Sequence, residues 1–534
     1  MLKGGTIIEI IRLNIGIAFI FVKTFNNMKF FSTLIFTFLI AFIGFSQKLT
    51  FKVSDVNDTT VHLVKYVGNK LYYADTAKIV GGIVSFDGSK QEPGILALLL
   101  PGQKYFDFIY NKEAVKIETK GPNYMENMVV KESKENKIFL EYLMFVKESR
   151  QKTQALQEQR KALDESQEAE KNNLDAQIAS IGEGVFAYQN QLVAKNKNTL
   201  VAKIVKMSTD IQIPEVPESE KDNKNFSYEY FRDHYFDNID FTDDRLVNTP
   251  ILQNKLEQFY SKTILQHPDT ILKYVYNVVD QIPEGSMMYR FFVTNITAHF
   301  EKSKIMGMDK VSNNMINRYY CSKDLAGNYK GNWMEDDRLD DLCETTKKRV
   351  RIMLGETPPN IILPDTTNKK WHNLYKVDAE YTILYFWDPN CGHCKTITPK
   401  LGELYEKKFK ERNIEIFSVG KATGDDFEAW KKFIAKHNLN FINVGVTKQL
   451  YENAKADALN VIRSNNTTLE SINYQDTYDI YSTPRVFILN KDKKIIAKSL
   501  TIAQIEHMLD DLQGFSDAEK LFDLKIETEE DQVH

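Results

Sequence analysis

The sequence predicts a multidomain chain: a small antiparallel β domain, an α-helical middle region and a C-terminal α/β unit with a mixed sheet. Three observations carry this. Strand-like runs split by short turn signals fill residues 48–120, and Glu-, Gln-, Lys-, Ala- and Leu-rich stretches of helical period follow from about 133. From Leu354 onward the two periods alternate. At 534 residues, 43% of them hydrophobic and 27% charged, the chain is also too long for one hydrophobic core. The expected divisions are a leader at 1–46, the β domain at 47–130, the helical region at 131–350, the α/β domain at 351–514 and an acidic tail at 515–534. Net charge is −4 with acids and bases interspersed, which lacks the basic footprint of a nucleic-acid binder.

The leader holds two apolar stretches. "IGIAFIFV" (15–22) is too short to span a bilayer. The second follows an internal methionine: Met28, a basic Lys29, an apolar run from Phe30 to Phe45, then small residues at Gly44 and Ser46. This is the layout of a secretory signal, with translation starting at Met28 and the mature chain near Gln47. An uncleaved anchor is the alternative, and membrane association is expected only in that case. Both place the bulk of the chain outside the cytoplasm, in the periplasm or cell envelope.

In the β region, "LTFKVSDV", "TVHLVKYV", "GIVSFDG", "GILALLLPG", "KYFDFIYN" and "AVKIETK" read as strands of a sandwich or barrel. Residues 137–207 read as an αα-hairpin broken at "SIGEG" (180–184), and 212–225 as a polar connector. Helical patterns follow at about 249–262, 268–281, 285–302, 307–321 and 333–354. The last unit predicts strands at 381–387, 414–420, 440–446, 485–490 and 493–500. Helices are predicted from the first strand through about 411, at 427–437 and at 502–512.

The chemistry points to "FWDPNCGHCKTITPKL", where two of the four cysteines, Cys391 and Cys394, stand two residues apart. Zinc would need two further ligands at short spacing, and neither Cys321 and Cys343 nor the dispersed histidines supply them. A structural disulfide closing so short a loop would stabilise weakly. A redox pair suits the setting better. A buried strand ends at Trp387, a turn follows, and Cys391 falls at the first turn of a helix, where free N–H groups and the helix dipole favour the thiolate. Cys394, one turn on and less exposed, is placed to attack a mixed disulfide. His393 between them can donate a hydrogen bond or charge to the Cys391 sulfur, and Lys395 can add a weaker effect.

These residues resemble the active-site segment of the thioredoxin superfamily: Phe386-Trp387, Cys391-Gly392-His393-Cys394, and Pro399 inside the first helix. "YSTPRVFILNKDKKII" resembles the second hallmark, a residue followed by a cis-proline at a strand start. This implies that Thr483–Pro484 is cis and that the Thr483 backbone pairs with substrate beside Cys391. The layout from "GETPPNIILPDTTNKKW" onward is similar to the TlpA/ResA-like branch of envelope thiol–disulfide oxidoreductases, with a leading β-hairpin, across about 354–513. The preceding regions look like domains of unknown function that often accompany such units.

The resemblance implies a thioredoxin-like fold for 351–514 and a redox-active Cys391–Cys394 disulfide. Trp387 and His393 would tune the pair, and Thr483 and Pro484 would bind substrate. No cofactor is implied; the partners would be protein disulfides or dithiols and an envelope electron-transfer protein. Three departures stand out. Tyr385 replaces the buried acid many thioredoxins carry. The Gly-His dipeptide resembles disulfide isomerases, implying a potential nearer about −180 than about −270 mV. Residues 447–480 form a long insert, read as a surface elaboration with gating of the cleft as the alternative.

A peroxiredoxin-type peroxidase would want threonine three residues before Cys391, where Asp388 stands. A non-catalytic envelope binding protein that uses the β and helical domains is the other alternative. For Cys321 and Cys343, export invites a disulfide. Antiparallel helices ending near 321 and starting near 333 would offset them by ~15 Å, against a Cα limit of about 7 Å, unless the 323–332 connection absorbs the difference.

Overall fold

A computed structural model describes residues 47–524, so the leader and the end of the acidic tail lie outside the described residues. The chain forms two compact units that divide at Lys255 and Leu256. The helical region expected as one body over 131–350 is therefore shared between them. Helical periodicity marks which face of a helix is apolar but not which neighbour covers it.

In the first unit, eight strands form two four-stranded sheets: β1 (Lys48–Val53), β2 (Thr59–Val67), β3 (Lys70–Ile79), β4 (Ile83–Asp87), β5 (Gly94–Leu100), β6 (Lys104–Tyr110), β7 (Val115–Thr119) and β8 (Val129–Glu132). The orders are β4-β1-β7-β8 and β3-β2-β5-β6, and every pair is antiparallel except β1–β7. Phe51, Leu63, Leu98, Phe106, Phe108 and Ile117 interleave between them as one core, so the domain is a sandwich. β3 was not legible in the sequence because it is largely solvated, with Tyr72 and Tyr73 exposed.

Helices α1 (Lys134–Ala162) and α2 (Glu168–Lys195) form the expected hairpin, followed by α3 (Leu200–Ser208) and α4 (Phe226–Asp233). The turn is at 163–167 rather than 180–184. Asp164 accepts hydrogen bonds from the Ser166 and Gln167 N–H groups there, while Gly182 and Gly184 lie within α2 on an open face. Two glycines cost a 28-residue helix about 1 kcal/mol each, too little to break one packed along α1.

Two buried polar residues join helices to sandwich. Asn136 pairs its side-chain amide with both the N–H and the C=O of Ile109 on β6 (2.8 and 2.7 Å). Glu135 accepts the free N–H groups of Leu200 and Val201 at the start of α3 (2.9 and 2.7 Å) and the Asn111 amide (2.8 Å).

The second unit opens with α5 (Pro250–Gln258) crossing the division, then α6 (Pro268–Val279), α7 (Met287–Glu301), α8 (Asp309–Tyr319) and α9 (Asp336–Arg349). Cys321 and Cys343 are bridged, with Cα atoms 5.5 Å apart. The connection after α8 doubles back on itself, through Lys330 N–H to Ser322 C=O and Gly331 N–H to Tyr320 C=O, and this absorbs the offset that idealised helices would leave.

The α/β domain follows. A hairpin of β9 (Ile362–Pro364) and β10 (Trp371–Asn373) precedes β11 (Tyr381–Trp387), α10 (Gly392–Leu404), β12 (Ile414–Gly420), α11 (Asp426–Lys436) and β13 (Ile442–Gly445). Then come α12 (Lys448–Asn465), the short α13 (Leu469–Ile472) and α14 (Tyr474–Thr477), β14 (Arg485–Leu489), β15 (Ile495–Lys498) and α15 (Ile502–Leu512). The sheet order is β13-β12-β11-β14-β15, with β11–β12 and β12–β13 parallel and the other two pairs antiparallel.

The central strand is buried on both faces, and its alternating residues feed two cores. Ile383, Tyr385 and Trp387 meet α10, Trp430 of α11 and Ile505 and Leu509 of α15. Leu384 and Phe386 meet Leu450 and Val461 of α12 with Tyr474 and Tyr478. Reading 447–480 as a surface elaboration is thus corrected. A sheet with two apolar faces must cover both, and the insert supplies part of the second cover. Residues 515–524 are tied to α15: the Leu521 and Phe522 N–H groups bond to Glu506, and Lys520 pairs with Asp510.

Glu135→Ala is expected to destabilise the first unit by about 2–4 kcal/mol, because it strands two buried N–H donors and an amide. Glu135→Gln should cost less. A drop in the urea midpoint measures both.

Candidate active site

β11 delivers the site. Its last residue, Trp387, is buried, donates from Nε1 to Ser418 Oγ on β12 (2.7 Å), and packs against Phe433 with ring centroids 5.1 Å apart. The chain then turns through Asp388-Pro389-Asn390, held by Asn390 N–H to Asp388 Oδ1 (2.7 Å) and Cys391 N–H to Asp388 C=O (3.1 Å). Cys391 is the N-cap of α10. Its backbone is extended, and its sulfur accepts the Cys394 N–H at 3.4 Å, so one free donor of the first turn points at that sulfur.

The two thiols differ in burial: Cys391 is half-buried and Cys394 is fully buried. Burial pushes the Cys394 thiol up to about 12; the Asp388 N–H, which donates to its sulfur at 3.5 Å, opposes this, and the neighbouring Cys391 adds to it. Tyr385 is fully buried beneath the pair, its hydroxyl 2.8 Å from Thr398 Oγ1 on α10. Burial, with the two thiols beside it, holds the phenol well above its usual pKa, so it stays protonated at neutral pH and cannot act as the missing carboxylate base.

The Thr483–Pro484 peptide is cis and stands across from the helix start. The Cys391 thiol donates to the Thr483 carbonyl at 3.2 Å. The structure therefore gathers Cys391, Cys394, Trp387, Thr483 and Pro484 at one point. His393 is exposed on the first turn of α10 and, among the described residues, makes no hydrogen bond to either sulfur.

Sequence reasoning missed a charged cluster behind the turn. Lys421, just past β12, holds Asp388 Oδ2 (3.1 Å) and Asp426 Oδ2 (3.2 Å), and Asp426 Oδ1 accepts the Asn390 amide (2.7 Å). Only the parallel pairing of β11 with β12 brings residue 421 beside residue 388; a scan for nearby motifs cannot see it. A polar cavity of about 200 Å³ opens beside it, lined by Trp387, Asp388, Lys421, Tyr474, Gln475 and Thr483 among others.

A five-stranded mixed sheet with a dithiol at the N-terminus of the helix after its central strand, opposite a cis-proline, defines a thioredoxin-like domain. Residues 378–495 match the family model described as "Thioredoxin-like", so the C-terminal part of the chain belongs to that class. Residues 48–139 and 187–331 match two models described as domains of unknown function, DUF4369 and DUF5106.

Among curated proteins, the soluble secreted antigen MPT53 of Mycobacterium tuberculosis is 36% identical over 62 residues, which cover 12% of this chain and 33% of that protein. The chain thus spans a third of the length of the curated relatives it matches. Among solved structures, a domain of a possible thiol-disulfide isomerase from Cytophaga hutchinsonii is 33% identical, covering 31% of this chain and 95% of that one, with a TM-score of 0.24. A thioredoxin-like protein from Bacteroides caccae is 16% identical, covering 56% and 97%, with a TM-score of 0.39. A thiol:disulfide interchange protein from Bacteroides sp. is 20% identical, covering 32% and 95%, with a TM-score of 0.23.

A thiol whose pKa is raised on folding binds its proton more tightly in the native state. Its contribution to stability is full below the ordinary thiol pKa of 9.0 and is lost as pH rises toward about 12. Relative to Cys394→Ser, the reduced protein is expected to lose about 1.4 kcal/mol of stability per pH unit above about pH 9. Paired urea titrations of the two proteins check this.

Proposed function

We propose that the chain is an exported thiol–disulfide oxidoreductase that exchanges disulfides with protein substrates through Cys391 and Cys394. The observation that carries the reading is the unequal burial of two thiols at one helix start, the accessible one facing the Thr483 carbonyl at 3.2 Å. In the reducing direction the Cys391 thiolate attacks a substrate disulfide. A Cys391–substrate bond forms, and the released substrate sulfur takes a proton. Cys394 then loses its proton and attacks the Cys391 sulfur, closing Cys391–Cys394 as the second substrate sulfur leaves and is protonated. Two electrons pass from the dithiol to the substrate, and the reverse sequence oxidises a dithiol. An extended substrate segment pairs with the Thr483 backbone as an added strand, with Pro484 fixing that edge. His393, exposed beside the nucleophile, adds donor capacity as the mixed disulfide forms and breaks.

Export is supported by the Met28–Ser46 signal layout, by the Cys321–Cys343 bridge, which persists in oxidising compartments, and by the word "secreted" in the name of the mycobacterial relative. A separate envelope protein sets the direction by supplying or withdrawing electrons.

Cys391→Ser should abolish exchange with a disulfide-bonded peptide, while Cys394→Ser should accumulate the protein–peptide mixed disulfide, read by intact mass. Equal activity in Cys391→Ser would defeat the reading. Equilibration with glutathione should place the couple nearer about −180 mV; a value below about −250 mV would overturn an oxidising or isomerising role.

A further inference from the structure

The exchange reaction leaves one requirement unassigned. Cys394 must become a thiolate to close the disulfide, and Tyr385 stands where a buried carboxylate would have assisted it. Asp388 reaches the Cys394 sulfur through its backbone, beside the Thr483 side chain that also hydrogen-bonds it, and four of the Asp388 groups are engaged. Its N–H donates to Cys394 Sγ (3.5 Å), its C=O accepts the Cys391 N–H (3.1 Å), Oδ1 accepts the Asn390 N–H (2.7 Å), and Oδ2 meets the Lys421 ammonium (3.1 Å). Lys421 is fixed in turn, by its own N–H to the Trp387 carbonyl (2.9 Å) and by Asp426 (3.2 Å), which ties back to Asn390 (2.7 Å).

We propose that Lys421 is the positioning residue of the resolving step: by holding the Asp388 carboxylate it keeps the Asp388 N–H aimed at the Cys394 sulfur, where that donor stabilises the attacking thiolate. This rests on the exchange reading above and assigns a part within it.

The physical ground is differential. An N–H donated to a thiol is a weak hydrogen bond, whereas the same N–H donated to a thiolate is charge-assisted and roughly twice as strong as a neutral bond. The contact therefore gains strength as Cys394 ionises, which lowers the barrier to attack rather than merely holding the ground state. Lys421, shared with Asp426, also offsets part of the Asp388 negative charge near the sulfur on which the anion forms. The titratable groups around the Cys394 sulfur are Cys391 at the N-cap and Tyr385 from β11, with Asp388 at the turn and Lys421 and Asp426 behind it. His393 and Lys395 lie exposed on the same helix turn. The step balances as written for the exchange: the Cys394 proton passes to water, the Cys391–Cys394 bond forms, the Cys391–substrate bond breaks, and the leaving sulfur takes up a proton.

The test uses the full reduced chain and one equivalent of an aromatic disulfide whose released thiolate absorbs visible light. The first release reports attack by Cys391 and the second reports resolution by Cys394. Lys421→Met is expected to leave the first release within about twofold and to slow the second about tenfold, the effect of misaligning one charge-assisted hydrogen bond. The pH midpoint of the second release should move upward, and Lys421→Arg should restore both. An unchanged second release, or equal slowing of both, overturns the proposal.

Asp388→Asn keeps an oxygen for the Asn390 N–H but removes the ion pair. It should slow the second release alone, and adding Lys421→Met should slow it no further, whereas additive effects would overturn the coupling. A wild-type protein that releases no thiolate would instead defeat the exchange reading itself.

Discussion

Two sulfurs on one helical turn lie on opposite sides of the solvent boundary, and the rest of the C-terminal domain is arranged around that asymmetry. Cys391 caps α10 at the rim, while Cys394, three residues later, is sealed under the end of β11. Holding a helix start in that attitude needs a strand that ends buried, a tight turn, and a helix pressed down along its length. Ile397, Leu401 and Leu404 provide the pressure from α10, and Ile383, Tyr385 and Trp387 receive it. The covered face is costly to open, and burial keeps the inner thiol protonated at neutral pH. The difference between the two sulfurs is thus set by packing.

The legible part of this arrangement was local. Strand formers at 381–387, the Cys-x-x-Cys spacing, Pro399 and the Thr-Pro pair lie in short windows whose composition carries the signal. Contacts between distant segments were not legible. Lys421 reaches Asp388 only through strand pairing, and Ser418 meets the Trp387 indole for the same reason. The insert at 447–480 looked peripheral because its polar residues dominate, yet Tyr478 is wholly buried and Tyr474 stacks on Phe386 with centroids 5.7 Å apart. A few apolar side chains at the right spacing are enough to cover a sheet face, and a composition average hides them.

Elsewhere the misses have the same character. "SIGEG" carries two glycines, but an open helix face tolerates them, and the true turn at 163–167 is marked only by Asp164 and Ser166. The Cys321–Cys343 bridge looked remote when the connection was treated as a straight offset, because hydrogen bonds inside that loop fold it back. In each case the deciding hydrogen bonds lie in a short connection, which the helical pattern on either side does not spell out. Buried polar links such as Asn136 to Ile109, which tie α1 to β6, are likewise absent from the helical pattern.

Arg349, at the end of α9, meets the Asp479 carboxylate at 2.7 Å, and that side chain is only 8% exposed. Asp479 lies four residues before Thr483, on the segment that leads into the cis-proline. Lys348 and Arg351 reach Asp476 and Glu470 of the same segment. Cutting the chain at 351, the expected start of the α/β domain, would leave the enclosed Asp479 without its Arg349 partner. The excised domain would carry both Cys391 and Cys394 and still hold its cis-proline edge on a loosened support. Autonomy of the catalytic unit therefore ends one helix upstream of where its fold begins.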